Sequence, residues 1–254
     1  MRRLIVSKKA ILGDRIHITD KEDIAYLSAV LRMKEGDTLL VLDGEGRAWE
    51  TSIDIISRNK IELSVLSENQ AYEDDKTRVT LYQGLPRGVK MEEVVRKATE
   101  LGVFRIVPVT TARVEAGSAN TSAFKYERWR RVAKEASRQS QRLVVPEISN
   151  VLDSEEAAVE LVNGDYDLIL IPYELEERRT LKQALRDFGA RTSDNGAKPL
   201  NIAVFIGPEG GFESAEIEKL VREGAEPVTM GDTILRTETA GPAAVAMILY
   251  ELEL

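Results

Sequence analysis

The chain contains no cysteine and a single histidine among its 254 residues. Disulfides, thiolate nucleophiles, zinc fingers and His-rich metal sites are thereby excluded by count. It also lacks a long apolar run: nowhere do eighteen apolar residues stand together, so no membrane span is expected. The opening "MRRLIVSKKAILGD" is basic, but its apolar patches are too short for a signal-peptide core. A soluble, cytoplasmic protein is the expectation. Its chemistry must come from Arg, Lys, Asp, Glu, Ser, Thr, Tyr, backbone amides or a bound cofactor.

The length suffices for a full core, as one large domain or as a small domain beside a larger one. The net charge of −8 argues at first against nucleic acid, but it is unevenly spread. Residues 1–34 hold eight Lys/Arg against four Asp/Glu, and residues 78–142 hold fourteen against six. The remainder is acidic. Two basic blocks in an acidic chain point to a localised anionic partner.

Up to residue 70 the pattern is one of short strands around a lone helix. "DTLLVLDGEGRAWETSIDII" alternates about a Gly-rich turn at Asp43–Gly46, and "KIELSVL" alternates through Ile61, Leu63 and Val65, which reads as hairpin structure. "KEDIAYLSAVLRMKEGD" reads as a helix with Ile24, Leu27, Val30 and Leu31 on one face and Gly36 as its stop. A small β-barrel over 1–70 would close such strands. A polar linker is expected over 71–77. From 78 to 254 strand and helix alternate, including a long helix over 126–142, which predicts a parallel α/β sheet. The last segment, "GPAAVAMILYELEL", is apolar almost all round and should be a helix buried in the core or sealed by a partner subunit.

The chemistry concentrates in three loops. "IPYE" at 171–174, "GPEGG" at 207–211 and "GDTILR" at 231–236 each follow a strand, and in an open α/β sheet ligands bind beyond the strands' carboxyl ends. Glycines there let the backbone approach a ligand; the bland reading is a tight turn with Ser214 as the next helix's cap. The P-loop and dinucleotide fingerprints are both missing. Glu209 would repel a polyanion and would suit a positively charged ligand such as a sulfonium.

"FIGPEGGF" followed by "ILRTETA", with "KMEEVVRKATELGV", "ERWRRVAKEASRQSQR" and "VLRMKEGD…DGEG", resembles the RsmE type of SPOUT methyltransferases, over nearly the whole chain and in order. One departure is Tyr26, where that family usually has histidine. The resemblance implies an α/β protein with an N-terminal PUA-like β-barrel and a SPOUT domain ending in a trefoil knot, which no hydrophobic pattern predicts. It implies methylation of uridine N3 in 16S ribosomal RNA of the small subunit, S-adenosylmethionine as donor, a homodimer and no metal. The donor pocket would be lined by Ile171, Pro172, Tyr173, Gly207, Pro208, Glu209, Gly210, Met230, Gly231, Ile234, Leu235, Thr239 and Ala240.

Transfer to N3 needs an unpaired base and stabilisation of the charge uracil gains on deprotonation. Arg236 is the first choice for that charge and Glu238 a weaker one for proton removal. Alternatively, Arg236 braces the loops by pairing with an acid such as Glu209, and Glu238 merely sits at a helix N-terminus. At 100° per residue Arg128, Arg131, Arg138 and Arg142 form one stripe beside Trp129, Val132 and Ala136, which suits RNA phosphates or a solvated face. Arg2, Arg3 and Arg32 in the basic N-terminal block, and Lys90 and Arg113 by the resemblance, complete the RNA candidates. Trp49 and Trp129 are read as packing residues, and His17 as a strand residue. Two other classes compete: an RNA-binding or assembly protein of this fold without catalysis, and a nucleotide-dependent oxidoreductase.

Overall fold

The computed structural model describes residues 2–70, 76–114, 123–192 and 198–253. Most of the linker expected at 71–77 lies outside them. The chain forms two compact units: residues 1–73 with 137–145, and 74–136 with 146–254. Among the described residues no helix is long and apolar enough to cross a membrane, and no three His, Asp or Glu side chains cluster to hold a metal.

The first unit is a curled six-stranded sheet. Its strands are β1 (Arg3–Ile5), β2 (Ile11–Leu12), β3 (Arg15–Ile18), β4 (Thr38–Leu42), β5 (Arg47–Ile56) and β6 (Ile61–Gln70), in the order β1-β4-β5-β6-β3-β2. Only β1 and β4 run parallel. The β4–β5 turn is the predicted one, fixed by Asp43, whose Oδ1 accepts from the amides of Glu45 (2.8 Å) and Arg47 (3.0 Å). Two register shifts between β5 and β6, at Glu50/Thr51 and Ile53/Ile55, bend the pair. Leu4, Ile16, Leu27, Leu39, Val41, Ile61 and Leu63 fill the concave side and are fully buried.

The helix here is shorter than its pattern implies. Asp20 caps α1 (Lys21–Ala25), and the chain continues as a π-helical turn over Tyr26–Val30. Each residue of such a turn rotates less than 100°, so Ile24 and Leu27 face the core while Val30 swings out to 67% exposure. Helical geometry ends before Gly36, because Arg32 is already left-handed (φ 51°).

Residues 137–145 pack with this first unit, which no sequence pattern suggested. Leu143 and Val145 lie against Ile5, Leu42 and Ala48, and the Val145 amide donates to the Gly44 carbonyl at 3.1 Å. The cause is a helix that stops early. The long helix α3 spans Ala123–Gln139, not 126–142; Gln141 adopts φ 59° and the Arg142 amide closes on the Ser137 carbonyl at 2.9 Å. Arg142 therefore leaves the predicted arginine stripe. Trp129 (5% exposed) and Trp49 (6%) are packing residues, as read, and His17 lies in β3.

In the second unit β7 (Thr77–Gly84), β8 (Arg105–Thr110), β10 (Leu152–Asp153), β11 (Leu168–Pro172), β12 (Leu200–Ile206) and β13 (Glu226–Val228) form the parallel sheet β10-β8-β7-β12-β11-β13, with β9 (Glu147–Ile148) also paired to β8. Its helices are α2 (Lys90–Glu100), α3, α4 (Ser154–Asn163), α5 (Leu181–Thr192), α6 (Ser214–Arg222) and α7 (Thr237–Glu253). The central strands are buried on both faces, which is why they read as apolar runs. The apolar last helix packs on α2, α5, β7 and β12, with Ala244, Val245 and Ile248 fully buried.

One polar cluster interrupts this core. The Tyr82 hydroxyl donates to Glu160 at 2.7 Å and lies 2.9 Å from the Tyr166 hydroxyl, while Arg105 holds Glu160 at 2.7 Å. Burial, then the bonds to Tyr166 and Glu160, pushes the Tyr82 hydroxyl far above the usual phenol range, so it remains a donor. Tyr82→Phe should cost about 1–3 kcal/mol, read from denaturant midpoints, since the bonds to Glu160 and Tyr166 are both lost with little change in volume. An unchanged midpoint would show the hydroxyl to be idle.

Candidate active site

Three strand ends and one helix start build a single cleft. β11 delivers Pro172 and Tyr173, β12 delivers residues 207–212, β13 delivers 229–235, and the first turn of α7 follows at once. The cleft encloses about 930 Å³. Of the predicted pocket residues Pro172, Tyr173, Gly207, Pro208, Glu209, Gly210, Met230, Gly231, Ile234, Leu235 and Ala240 line it, as do Arg236 and Glu238. Ile171 is wholly buried inside β11 and Thr239 points outward, so neither belongs to the lining. Helix α7 begins four residues before the predicted Gly241, which places Glu238 within its first turn and Pro242 inside the helix.

The loops are held by backbone chemistry that glycine permits. Gly84, at the end of β7, lies so near the β12 loop that a Cβ there would sit 2.6 Å from the Pro208 nitrogen and 2.9 Å from the Gly207 carbonyl carbon. Gly211 takes φ +68°, with Glu174 2.7 Å from where its Cβ would be. Thr237 then ties three segments together: its hydroxyl donates to the Gly207 carbonyl at 2.6 Å and accepts from Gln83 Nε2 at 2.8 Å. Arg113 Nη1 donates to the Gly210 carbonyl at 3.0 Å, and the Phe212 ring packs edge-on against Phe205. The turn into α6 is capped by Glu213, whose amide donates to Glu216 at 2.9 Å; Ser214, the predicted cap, is already the helix's first residue.

The cleft is acidic. Glu174, Glu176, Glu177, Glu209, Asp232 and Glu238 line it against Lys90 and Arg236. Partial burial works to raise the Glu209 carboxyl, but the hydrogen bond from Lys90 and backbone amides including that of Arg87 outweigh it and hold the group below the usual carboxylate range. The amides of Arg179 and Arg178 hold Glu176 below that range as well. The Lys90 ammonium, bonded to Glu209, is correspondingly pushed up.

The two predicted catalytic side chains sit in opposite environments. Arg236 is exposed and makes no ion pair with a described residue, so the alternative in which it braces the loops through Glu209 is not adopted. Glu238 is only 8% exposed; one oxygen lies 3.5 Å from Lys90, and the other is enclosed without a hydrogen-bond partner. A buried carboxylate oxygen lacking a donor is costly unless a ligand supplies one.

The candidate RNA cations are dispersed. Lys90 and Arg113 face the cleft loops, Arg128 pairs with Glu92 at 2.8 Å, and Arg138 is turned inward onto Asp23 and the Tyr26 ring. Arg3 donates to the Gln141 carbonyl at 3.1 Å. Arg2, Arg32 and Arg131 are exposed, and Arg142 is half-buried. No motif in the sequence singles out Gln83, Gly84 or Thr237 as site residues. A glutamine inside the buried run "VTLYQG" was the available signal.

Residues 73–249 match the RNA methyltransferase domain family, and residues 18–66 match the RNA methyltransferase PUA domain. The chain is 31% identical to ribosomal RNA small subunit methyltransferase E of Bacillus subtilis, covering 92% of this chain and 89% of that protein. It is 32% identical to the protein of the same name from Synechocystis sp., covering 99% and 78%. The crystal structure of ribosomal RNA small subunit methyltransferase E from Neisseria gonorrhoeae bound to S-adenosyl methionine superposes with a TM-score of 0.77 at 25% identity, over 98% of this chain and 97% of that one. The two matched domains, in the order and with the strand-end cleft described above, place the chain in the RNA methyltransferase family of the ribosomal RNA small subunit methyltransferase E type.

Proposed function

We propose that the chain methylates N3 of a specific uridine in 16S ribosomal RNA of the small subunit, with S-adenosylmethionine as donor and as a homodimer. The acid-lined cleft at three strand ends, two of them bearing glycine, carries this reading. Its carboxylates complement a cationic ligand and disfavour a polyphosphate, and its exposed main chain can meet the hydrogen-bonding edges of a nucleoside. The Neisseria relative, solved with S-adenosyl methionine, adds support from outside the chain.

S-adenosylmethionine would supply an electrophilic methyl group on a cationic sulfonium, whose leaving group is a neutral thioether. The chain's own residues align the base and manage its charge and proton. Glu238, which lines the cleft, accepts the N3 proton. Arg236 meets the negative charge that a uracil carbonyl oxygen acquires as N3 is deprotonated. The N3–carbon bond forms as the carbon–sulfur bond breaks, and that electron pair leaves with sulfur. The base must be unpaired or flipped out, since N3 lies on its pairing edge. Exposed Arg2, Arg32 and Arg131 are the cations proposed to meet phosphate. Exposed Met247 (42%) and Tyr250 (69%) on α7, with Leu101 (43%), supply an apolar face for the second copy.

Calorimetry should show S-adenosylhomocysteine binding and no NAD binding, and nucleoside mass spectrometry of 16S RNA should lose 3-methyluridine when the protein is deleted. Donor binding with an unchanged nucleoside profile would instead support an assembly protein of this fold.

A further inference from the structure

Lys90 opens α2 and lies between carboxylates from two separate pocket segments. Its ammonium is 2.9 Å from Glu209 in the β12 loop and 3.5 Å from Glu238 in α7. The Glu209 carboxylate also accepts from the Arg87 amide, at 3.1 Å on one oxygen and 3.3 Å on the other. Both acceptor oxygens are therefore engaged. Arg236 lines the same cleft and pairs with no described acid.

That distribution of partners is not the one side-chain chemistry alone favours. A guanidinium matches a carboxylate with two parallel donors, whereas an ammonium is a single point charge. In an acid-lined cleft an arginine would ordinarily be captured by the nearest glutamate. We propose that Lys90 is a positioning residue: by occupying Glu209 it keeps Arg236 unpaired and available to the base. The inference rests on the role given to Arg236 above and assigns Lys90 to the interior of the site in place of RNA phosphate. Without Lys90, Glu209 turns to Arg236 and the charge meant for the uracil oxygen is neutralised beforehand. Glu238 loses its nearby cation at the same time, so the effect through Glu209 has to be isolated.

A double-mutant cycle isolates it. Single-turnover methylation at saturating donor and RNA is measured for the native chain, Lys90→Met, Glu209→Gln and the double variant. Lys90→Met alone should slow the step roughly tenfold or more with RNA affinity unchanged, because a preorganised charge is withdrawn from the transition state. In the Glu209→Gln background the same replacement should cost at least about threefold less than in the native background, since the competing carboxylate is gone and only the effect on Glu238 remains. Lys90→Arg, which keeps a cation beside Glu209, should retain most of the rate. An equal loss in the native and Glu209→Gln backgrounds overturns the proposal, as does a flatter salt dependence of RNA binding in Lys90→Met, which marks a phosphate contact. Should Lys90→Met melt early, Lys90→Gln, with a shorter uncharged side chain, takes its place in the same cycle. Failure of the underlying reading has a separate signature: Arg236→Ala would then leave the rate intact whatever stands at 90.

Discussion

Arg236→Ala should lower the single-turnover methylation rate by about two to three powers of ten while donor and RNA affinities barely move. That is the scale of removing one preorganised donor aimed at charge that exists only in the transition state. The geometry makes the split between rate and binding expected, because Arg236 is exposed and bonded to no described acid; its loss breaks no ion pair holding the loops. The loops are secured elsewhere, through Thr237, Gly207 and Gln83. A joint fall in donor affinity, melting temperature and rate would mean that the guanidinium braces the site after all. Arg236→Lys keeps the charge but not the planar fork, so partial rescue marks a simple electrostatic role. Near-native turnover of the alanine variant would remove Arg236 from the catalytic list.

Gly84→Ala should have the largest effect on the pocket itself. Its added methyl would stand 2.6 Å from the Pro208 nitrogen and 2.7 Å from Pro208 Cδ, atoms that cannot swing aside as the end of a long side chain can. The β12 loop must move away from β7, costing about 1–3 kcal/mol as overpacking does, and carrying Gly207 and Glu209 out of register with α7. Donor affinity should fall at least about tenfold, on the 1.4 kcal/mol per decade scale. Gly189 provides the control. It lies inside α5, where a Cβ meets only Leu252 at 3.8 Å, so Gly189→Ala should raise stability by about 0.5–1 kcal/mol through helix propensity and leave donor binding alone. Equal donor affinity in the Gly84→Ala variant and the native chain would show that the close approach is not needed for the pocket.

The α/β architecture of the second unit is legible because its central strands, buried on both faces, read as apolar runs, and helices such as α2 and α6 carry one apolar stripe each. The helix α4 was not read out, although its signature was present: Asp153 and Glu156 form a reciprocal capping box, with Glu156 accepting from the Asp153 amide at 2.9 Å. The ends of α1 and α3 depart from the periodic pattern for a common reason. Periodicity continues through residues whose backbone has already left the helix, at Arg32 (φ 51°) and Gln141 (φ 59°), and neither is glycine. The arginine stripe failed in part on the same account, and in part because Arg138 found Asp23, a partner 115 residues away.

By itself the sequence determined the absence of thiol chemistry, the division into a strand-rich and an alternating part, and the three strand-end loops, two of them bearing glycine, that the fold gathers into one cleft. Those properties are local: they follow from counts, from periods of two and 3.6 residues, and from the conformations only glycine adopts cheaply. Which charges meet was decided only by the tertiary structure. Lys90, Glu209 and Glu238 are brought together from α2, the β12 loop and α7 by strand order in a parallel sheet, and Gln83 reaches Thr237 across 154 residues of chain. Pairing in the cleft depends on distances of a few ångströms between segments that are remote in sequence, and residue types alone do not choose between a lysine and an arginine for one carboxylate. In the cleft Glu209 is held by Lys90, and Arg236 pairs with no described acid.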